Sequence, residues 1–131
     1  MLVRRLAEAP TEEWHGLRTN ILMDAGELGS RQMSVTWLDV PTGTDQELHS
    51  HEESEQVYVV ARGGGSMTVA GDTQQIAAGD LVLVPPATDH SIANDGEAEL
   101  CVVSVQSPAV TVSEVFAPTP AGAAEYDEED Y

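Results

Sequence analysis

The sequence predicts an all-β sandwich or barrel, and three observations carry that reading. Short runs of β-branched and apolar residues recur at close spacing, and Gly, Pro, Asn and Asp punctuate them. No stretch sustains the 3.6-residue period of an amphipathic helix. Roughly eight short strands with such turn signals are the pattern of an antiparallel β domain.

In chain order, residues 1–32 read as a mixed N-terminal arm holding four of the five arginines: Arg4, Arg5, Arg18 and Arg31. Within it, Met1–Leu6 predicts a short strand and Pro10–Trp14 a helical turn. From residue 33 the texture changes. Met33–Val40 alternates with period two, and Pro41-Thr42-Gly43 is a turn. Gln56–Ala61 is a β-branched run closed by Arg62-Gly63-Gly64-Gly65. Ser66–Ala70 is a short strand leading to a hairpin turn at Gly71-Asp72. Gln75–Ala77 leads to a second turn at Gly79-Asp80. Leu81–Val84 is apolar on both faces and stops at Pro85-Pro86. His90–Ala93, Glu99–Val105 and Val110–Phe116 complete the strands, with a turn at Asn94-Asp95-Gly96. Residues 33–116 therefore read as the barrel domain. Residues 117–131 carry two prolines, small residues and five acids in the last seven positions, a composition that predicts a disordered tail.

Composition narrows the function. A chain of 131 residues, 41% hydrophobic, makes one domain with a real core. Five arginines and no lysine stand against 23 acids, a net charge of −18. Such a chain repels phosphate backbones and anionic lipid surfaces, so nucleic-acid and membrane-surface roles are excluded as expectations. No apolar run reaches the roughly 20 residues of a membrane span. The two early arginines have no apolar stretch behind them, so no secretory signal is expected. Cys101 is the one cysteine, which excludes an internal disulfide and fits a reducing cytoplasm.

The chemistry lies with four histidines: His15, His49, His51 and His90. His49 and His51 stand at i, i+2, which on a strand aims two imidazoles at one face. Gly43 lies six residues before His49, Gln56 five after His51, and Gly63 seven after Gln56. After fifteen residues follow Gly79, Pro85, Ala87, His90 and Asn94. The whole reads G-x5-H-x-H-x4-Q-x6-G, then G-x5-P-x-A-x2-H-x3-N.

This two-part pattern resembles the cupin superfamily, whose motifs read G-x5-H-x-H-x(3,4)-E-x6-G and G-x5-P-x-G-x2-H-x3-N. The match runs from Gly43 to Asn94, about 40% of the chain. The resemblance implies a jelly-roll β-barrel and one divalent transition metal (Zn, Fe, Ni, Co or Mn) held by His49, His51, His90 and a fourth ligand. It also implies a homodimer, formed by exchanging or adding an N-terminal strand such as Met1–Leu6. Cupins host many chemistries, so the fold alone does not name the reaction.

Two departures from the motif matter. Ala87 stands where the family has glycine, which predicts that the turn before His90 needs no positive φ. Gln56 stands where the family has a glutamate ligand, with Glu55 beside it. If Gln56 faces inward, so do Tyr58 and Val60, and the count of six to Gly63 is kept. If Glu55 faces inward, Val57 and Val59 line the cavity and the count becomes seven. The kept count favours Gln56. Three imidazoles and a neutral amide would leave the ion its full +2 charge and favour Lewis-acid chemistry on a small organic substrate: cyclisation, isomerisation or elimination, as in the cupin-type polyketide cyclases it resembles. The alternatives are a dioxygenase like the quercetin-dioxygenase-like cupins and a non-catalytic small-molecule binder.

Asp45, Glu47, Glu52, Glu53 and Glu55 read as a solvated rim, from which Glu55 is the candidate general base. Trp37, Tyr58 and Met67 read as core residues that also line the substrate pocket. His15 reads as exposed or packing, with a place at the cavity mouth as the sharper alternative. Cys101 reads as a small buried hydrophobe. Gly63-Gly64-Gly65 reads as a turn and not a phosphate cradle, since no helix pattern or lysine accompanies it.

Overall fold

A computed structural model describes residues 1–14, 16–30 and 32–109. The expectations for His15, for a strand over Val110–Phe116 and for the tail at 117–131 lie outside the described residues.

The period-two segments form two antiparallel sheets. The strands are β1 (Thr11–Trp14), β2 (Leu17–Met23), β3 (Ser34–Val40), β4 (Thr44–Asp45), β5 (Glu55–Arg62), β6 (Gly64–Val69), β7 (Asp72–Ala77), β8 (Leu81–Val84), β9 (His90–Asn94) and β10 (Leu100–Ser107). One sheet runs β1-β2-β3-β10-β5-β8 and the other β4-β9-β6-β7. From β3 to β10 the chain thus crosses between the sheets at every step except β6 to β7, as in a jelly roll. Among the described residues, helix is limited to two three-residue 3₁₀ turns, Leu6–Glu8 and Glu27–Gly29, and no helix is long and apolar enough to cross a membrane.

Alternation decides which side chains meet between the sheets. On β3 the buried positions are Ser34, Thr36, Leu38 and Val40; on β5 they are Gln56, Tyr58 and Val60. Register stacks these into cross-strand rows over β3, β10 and β5. Leu38, Val102 and Val60 form an apolar row, next to Val40 and Leu100. Thr36, Ser104 and Tyr58 form the next, and Ser34, Gln106 and Gln56 the last. The inner face is therefore graded, apolar at one end and polar at the other. Leu17, Met67, Ile76, Val84 and Ile92 complete the apolar cluster.

Several local expectations are corrected. Met1–Leu6 forms no strand, and Met1, Leu2 and Val3 are exposed. Its described side-chain bonds run instead from Arg4 to the Ile21 carbonyl and to Glu27, and no described strand pairs with it. Pro10–Trp14 is not a helical turn: Thr11–Trp14 is β1, paired with β2 through Thr11↔Asn20 and Trp14↔Leu17. Part of the region read as an arm is thus a hairpin inside the six-stranded sheet, with Leu17 fully buried in the core.

The turn before His90 also differs from expectation. Ala87 sits at φ +57°, in the left-handed region that costs a non-glycine residue about 1 kcal/mol. Its N–H donates to the His51 carbonyl at 2.6 Å, so the strained turn joins the second motif to the first. Gly63 (φ +84°) admits no side chain, because a Cβ there would strike the Glu99 carbonyl.

Candidate metal centre

His90 opens β9, fully buried, and forms an isolated β-bridge with His49. His49 N–H donates to the His90 carbonyl at 3.0 Å, and His90 N–H returns a bond to the His49 carbonyl at 2.8 Å. His49 and His51 do not lie on a regular strand as the i, i+2 reading expects. They belong to the connection between β4 and β5, held by that bridge on one side and by the Ala87 bond on the other. Two ladder-like contacts are enough to aim both rings inward.

One ring nitrogen from each of His49, His51 and His90 lies within 4.8 Å of the other two. Ring centroids are 4.3 Å apart for His49 and His90, 5.1 Å for His51 and His90, and 5.4 Å for His49 and His51. Ligands of one ion at metal–nitrogen distances near 2.1 Å stand about 3–4 Å apart, so the cluster is of the right size. Two of the rings share one orienting device. His49 Nδ1 meets the Glu47 carbonyl and His90 Nδ1 meets the Thr88 carbonyl, each at 2.9 Å. A carbonyl only accepts, so Nδ1 carries the proton in both and Nε2 presents its lone pair.

Gln56 is buried in the inward row of β5, two residues from Tyr58, whose ring centroid is 5.9 Å from that of His90. Its Nε2 donates to Ser104 Oγ at 2.6 Å, while its Oε1 is buried and accepts no bond from any described group. A buried amide oxygen without a donor is costly, and a cation is one partner that would satisfy it. Glu55 is exposed and has the opposite parity, outside the buried cluster. Asp45, Glu47, Glu52 and Glu53 are likewise exposed. On a chain of charge −18 they surround the cluster with negative potential that attracts cations. The three histidines therefore fit a divalent ion.

Of the three pocket candidates, Tyr58 and Met67 face inward. Burial pushes the Tyr58 phenol well above its ordinary pKa, a shift that a hydrogen bond with the Gln56 side chain partly offsets, so it stays neutral. Trp37 does not line the interior. It has the parity of Asp39, and its Nε1 donates to Asp39 Oδ1 at 3.0 Å on the outer face. Period two identifies two faces without saying which is inward, and an aromatic ring suggested the wrong one. The outer face also holds Cys101, fully buried beneath Arg62, whose Nη2 donates to Sγ at 3.3 Å.

The sequence reading missed Trp14. From β1 its ring lies 6.3 Å from that of His49 and 6.1 Å from that of His51. Asn94 is buried and structural: its Nδ2 donates to the Val40 and Ala98 carbonyls, and its Oδ1 accepts from Gly96 N–H, bracing the turn after β9. A cavity of about 550 Å³ opens between the edge strands β7 and β8, floored by Met67, Val69, Ile76 and Val82. No histidine lines it, although Val69 is the register partner of His90. The candidate site is therefore placed by the chemistry of the histidines.

A jelly roll with three imidazoles converging from its two motifs has the layout of a cupin, and the family comparison agrees on the fold family. The family model described as "Cupin domain" matches residues 36–106, more than half the chain, and the chain belongs to that family. It is 35% identical over 69 residues to an uncharacterized protein of Methanocaldococcus jannaschii, covering 53% of this chain and 55% of that one. It is 36% identical over 81 residues to an uncharacterized protein of Streptomyces coelicolor, covering 62% and 75%. An oxalate-binding protein of Thermotoga maritima is 31% identical over 68 residues, covering 52% and 56%. The match thus spans just over half the length of the first and third of these relatives. Among solved structures, a predicted oxalate decarboxylase of Thermotoga maritima superposes with TM-score 0.74 at 23% identity, covering 81% of this chain and 98% of that one. KdgF from a Halomonas species gives 0.70 at 19% identity, covering 84% and 96%. At these identities the structural likeness speaks for the fold.

Proposed function

We propose that this cupin is a metal-dependent enzyme acting on a small organic substrate by Lewis-acid chemistry: cyclisation, isomerisation or elimination. The observation that carries the reading is the neutral donor set: three imidazoles whose ligand atoms lie within 4.8 Å of one another, with the unsatisfied Gln56 oxygen, and no carboxylate, on the buried side of β5. A divalent ion bound there supplies positive charge toward a carbonyl oxygen and lowers the cost of an enolate. The chain's own residues orient and seal the site. The Glu47 and Thr88 carbonyls fix the His49 and His90 tautomers, and Ser104 holds the Gln56 amide so that its oxygen is the free end. Tyr58, neutral and buried, offers a hydroxyl rather than a charge. Trp14 covers the rings of His49 and His51 from β1 and shields them from water.

The names of two similar Thermotoga proteins contain oxalate, which makes a small dicarbonyl compound, as the acid and as its neutral ester or amide, a sensible first ligand to assay. Self-association as a homodimer belongs to the same proposal, supported by the apolar side chains that one copy leaves exposed: Leu81 and Leu83 on β8, Val59 on β5, and Met1–Val3. Elemental analysis of the purified chain, before and after chelation, tests the centre. Near-stoichiometric metal and chelator-sensitive ligand binding are expected, and oxygen consumption during turnover would replace Lewis-acid chemistry with the dioxygenase reading.

A further inference from the structure

The polar end of the inner face contains a second amide oxygen, and the metal centre does not use it. Gln106 is buried at 6% exposure on β10. Its direct cross-strand partner on one side is Gln56, and on the other Ser34. Directly opposed residues share a face, with Cβ atoms about 5 Å apart, so the Gln106 side chain lies against the candidate fourth ligand. Gln106 Oε1 is buried and accepts no hydrogen bond from any described group. The neighbouring Ser104 hydroxyl is engaged by Gln56.

Among the described residues, no side-chain cation stands at this polar end of the inner face. The chain has no lysine. Among the described arginines, Arg5 is exposed and Arg4 binds the Ile21 carbonyl and Glu27. Arg18 stands near Asp39, and Arg62 lies over Cys101, both on the outer face. Among the described residues, then, the polar rows offer hydroxyls and amide oxygens and no side-chain cation. A substrate with several anionic groups would have only the metal to neutralise it. A neutral substrate with a hydroxyl or N–H would satisfy Gln106 Oε1, a buried acceptor left without a donor among the described residues.

We infer that Gln106 is a substrate-recognition residue, whose amide oxygen accepts a hydrogen bond from a hydroxyl or N–H of a neutral substrate bound at the metal through another oxygen. This rests on the metal-centre reading above and adds to it the class of substrate. An acceptor kept for a ligand lowers the stability of the ligand-free chain, because its desolvation is not repaid until the ligand arrives. A merely structural glutamine has the opposite signature.

The test uses the full metal-loaded chain and its Gln106→Met variant, with two neutral metal-chelating pyranones. Kojic acid carries a hydroxymethyl group, and allomaltol is the same ring with a methyl in its place. In the ligand-free state, Gln106→Met is expected to melt at the same temperature as the parent or a few degrees higher. By calorimetry the parent is expected to prefer kojic acid about tenfold, the equivalent of one hydrogen bond. Gln106→Met is expected to lose that preference while binding allomaltol within about twofold of the parent. A melting point several degrees lower in Gln106→Met, no preference in the parent, or an equal preference in both chains overturns the inference. The two readings fail separately. A chain that takes up no metal sinks the metal centre, whereas a chain that loads metal and binds allomaltol without any hydroxyl preference sinks only the role of Gln106.

Discussion

Replacing Gln56 by glutamate puts the metal-centre reading at greatest risk. The side chain is 3% exposed, with Ser104 Oγ at 2.6 Å and the Tyr58 phenol as its polar partners. In the metal-free chain at neutral pH, Gln56→Glu buries a carboxylate. Full burial is worth about 3 pKa units, roughly 4 kcal/mol, against the charged form. Ser104 can reverse its hydroxyl and donate to the new carboxylate, recovering about 1.5 kcal/mol. The net loss is roughly 2–3 kcal/mol, or about 8–12 °C in melting temperature for a domain of this size. With metal present the same carboxylate gains a cationic partner, so the loaded variant should melt close to the loaded parent and release its metal at least tenfold more slowly. The added negative charge should at the same time lower turnover, because it offsets part of the +2 on which Lewis acidity depends. Paired melts of stripped and loaded protein, with metal release to a competing chelator, measure all of this. Glu55→Gln, on the exposed parity, should change none of it. A silent Gln56→Glu beside a metal-poor Glu55→Gln would refute the placement of the fourth ligand and the preference for non-redox chemistry with it.

Other expectations follow from the same packing. His49→Ala, His51→Ala and His90→Ala should each lose metal by elemental analysis yet keep the β-sheet circular dichroism signal, since sheet pairing and not the ion holds these segments; full occupancy in His90→Ala would remove the centre. Leu17→Ala should cost about 3–5 kcal/mol by denaturant titration, because Leu17 is fully buried in the core cluster, whereas a detachable arm would lose under 1 kcal/mol. The raised Tyr58 pKa makes the folded state hold a proton that the unfolded state gives up above pH 10, so stability should be complete below about pH 10 and fall as pH rises past it. Tyr58→Phe should flatten that alkaline decline, and an unchanged pH profile would show that the phenol is not buried as described.

Much of this protein was legible before any coordinates. Period-two runs and turn residues are local properties, so the all-β class and most strand positions from Ser34 to Ser107 could be read directly. The motif spacings carried His49, His51 and His90, because strand length and turn length together determine which residues meet across a jelly roll. The inward parity of Gln56 followed from counting to Gly63, and burial of Gln56, Tyr58 and Val60 with exposure of Glu55 agrees with that count.

Long-range pairing decided the rest. Whether Thr11–Trp14 is a strand depends on β2 lying beside it, a contact that no local propensity encodes, and Trp14 reaches the histidines only through that pairing. Trp37 and Asp39 face outward because β3 turns Leu38 and Val40 to the core, a choice between two faces that alternation leaves open. Ala87 adopts a left-handed turn because its N–H must reach the His51 carbonyl, and the resulting bond repays a conformation its sequence disfavours. Gln106 stands in no motif. Only the register of β10 against β5 puts its unused oxygen beside Gln56, because a buried acceptor becomes visible when every neighbour that might have satisfied it has been placed.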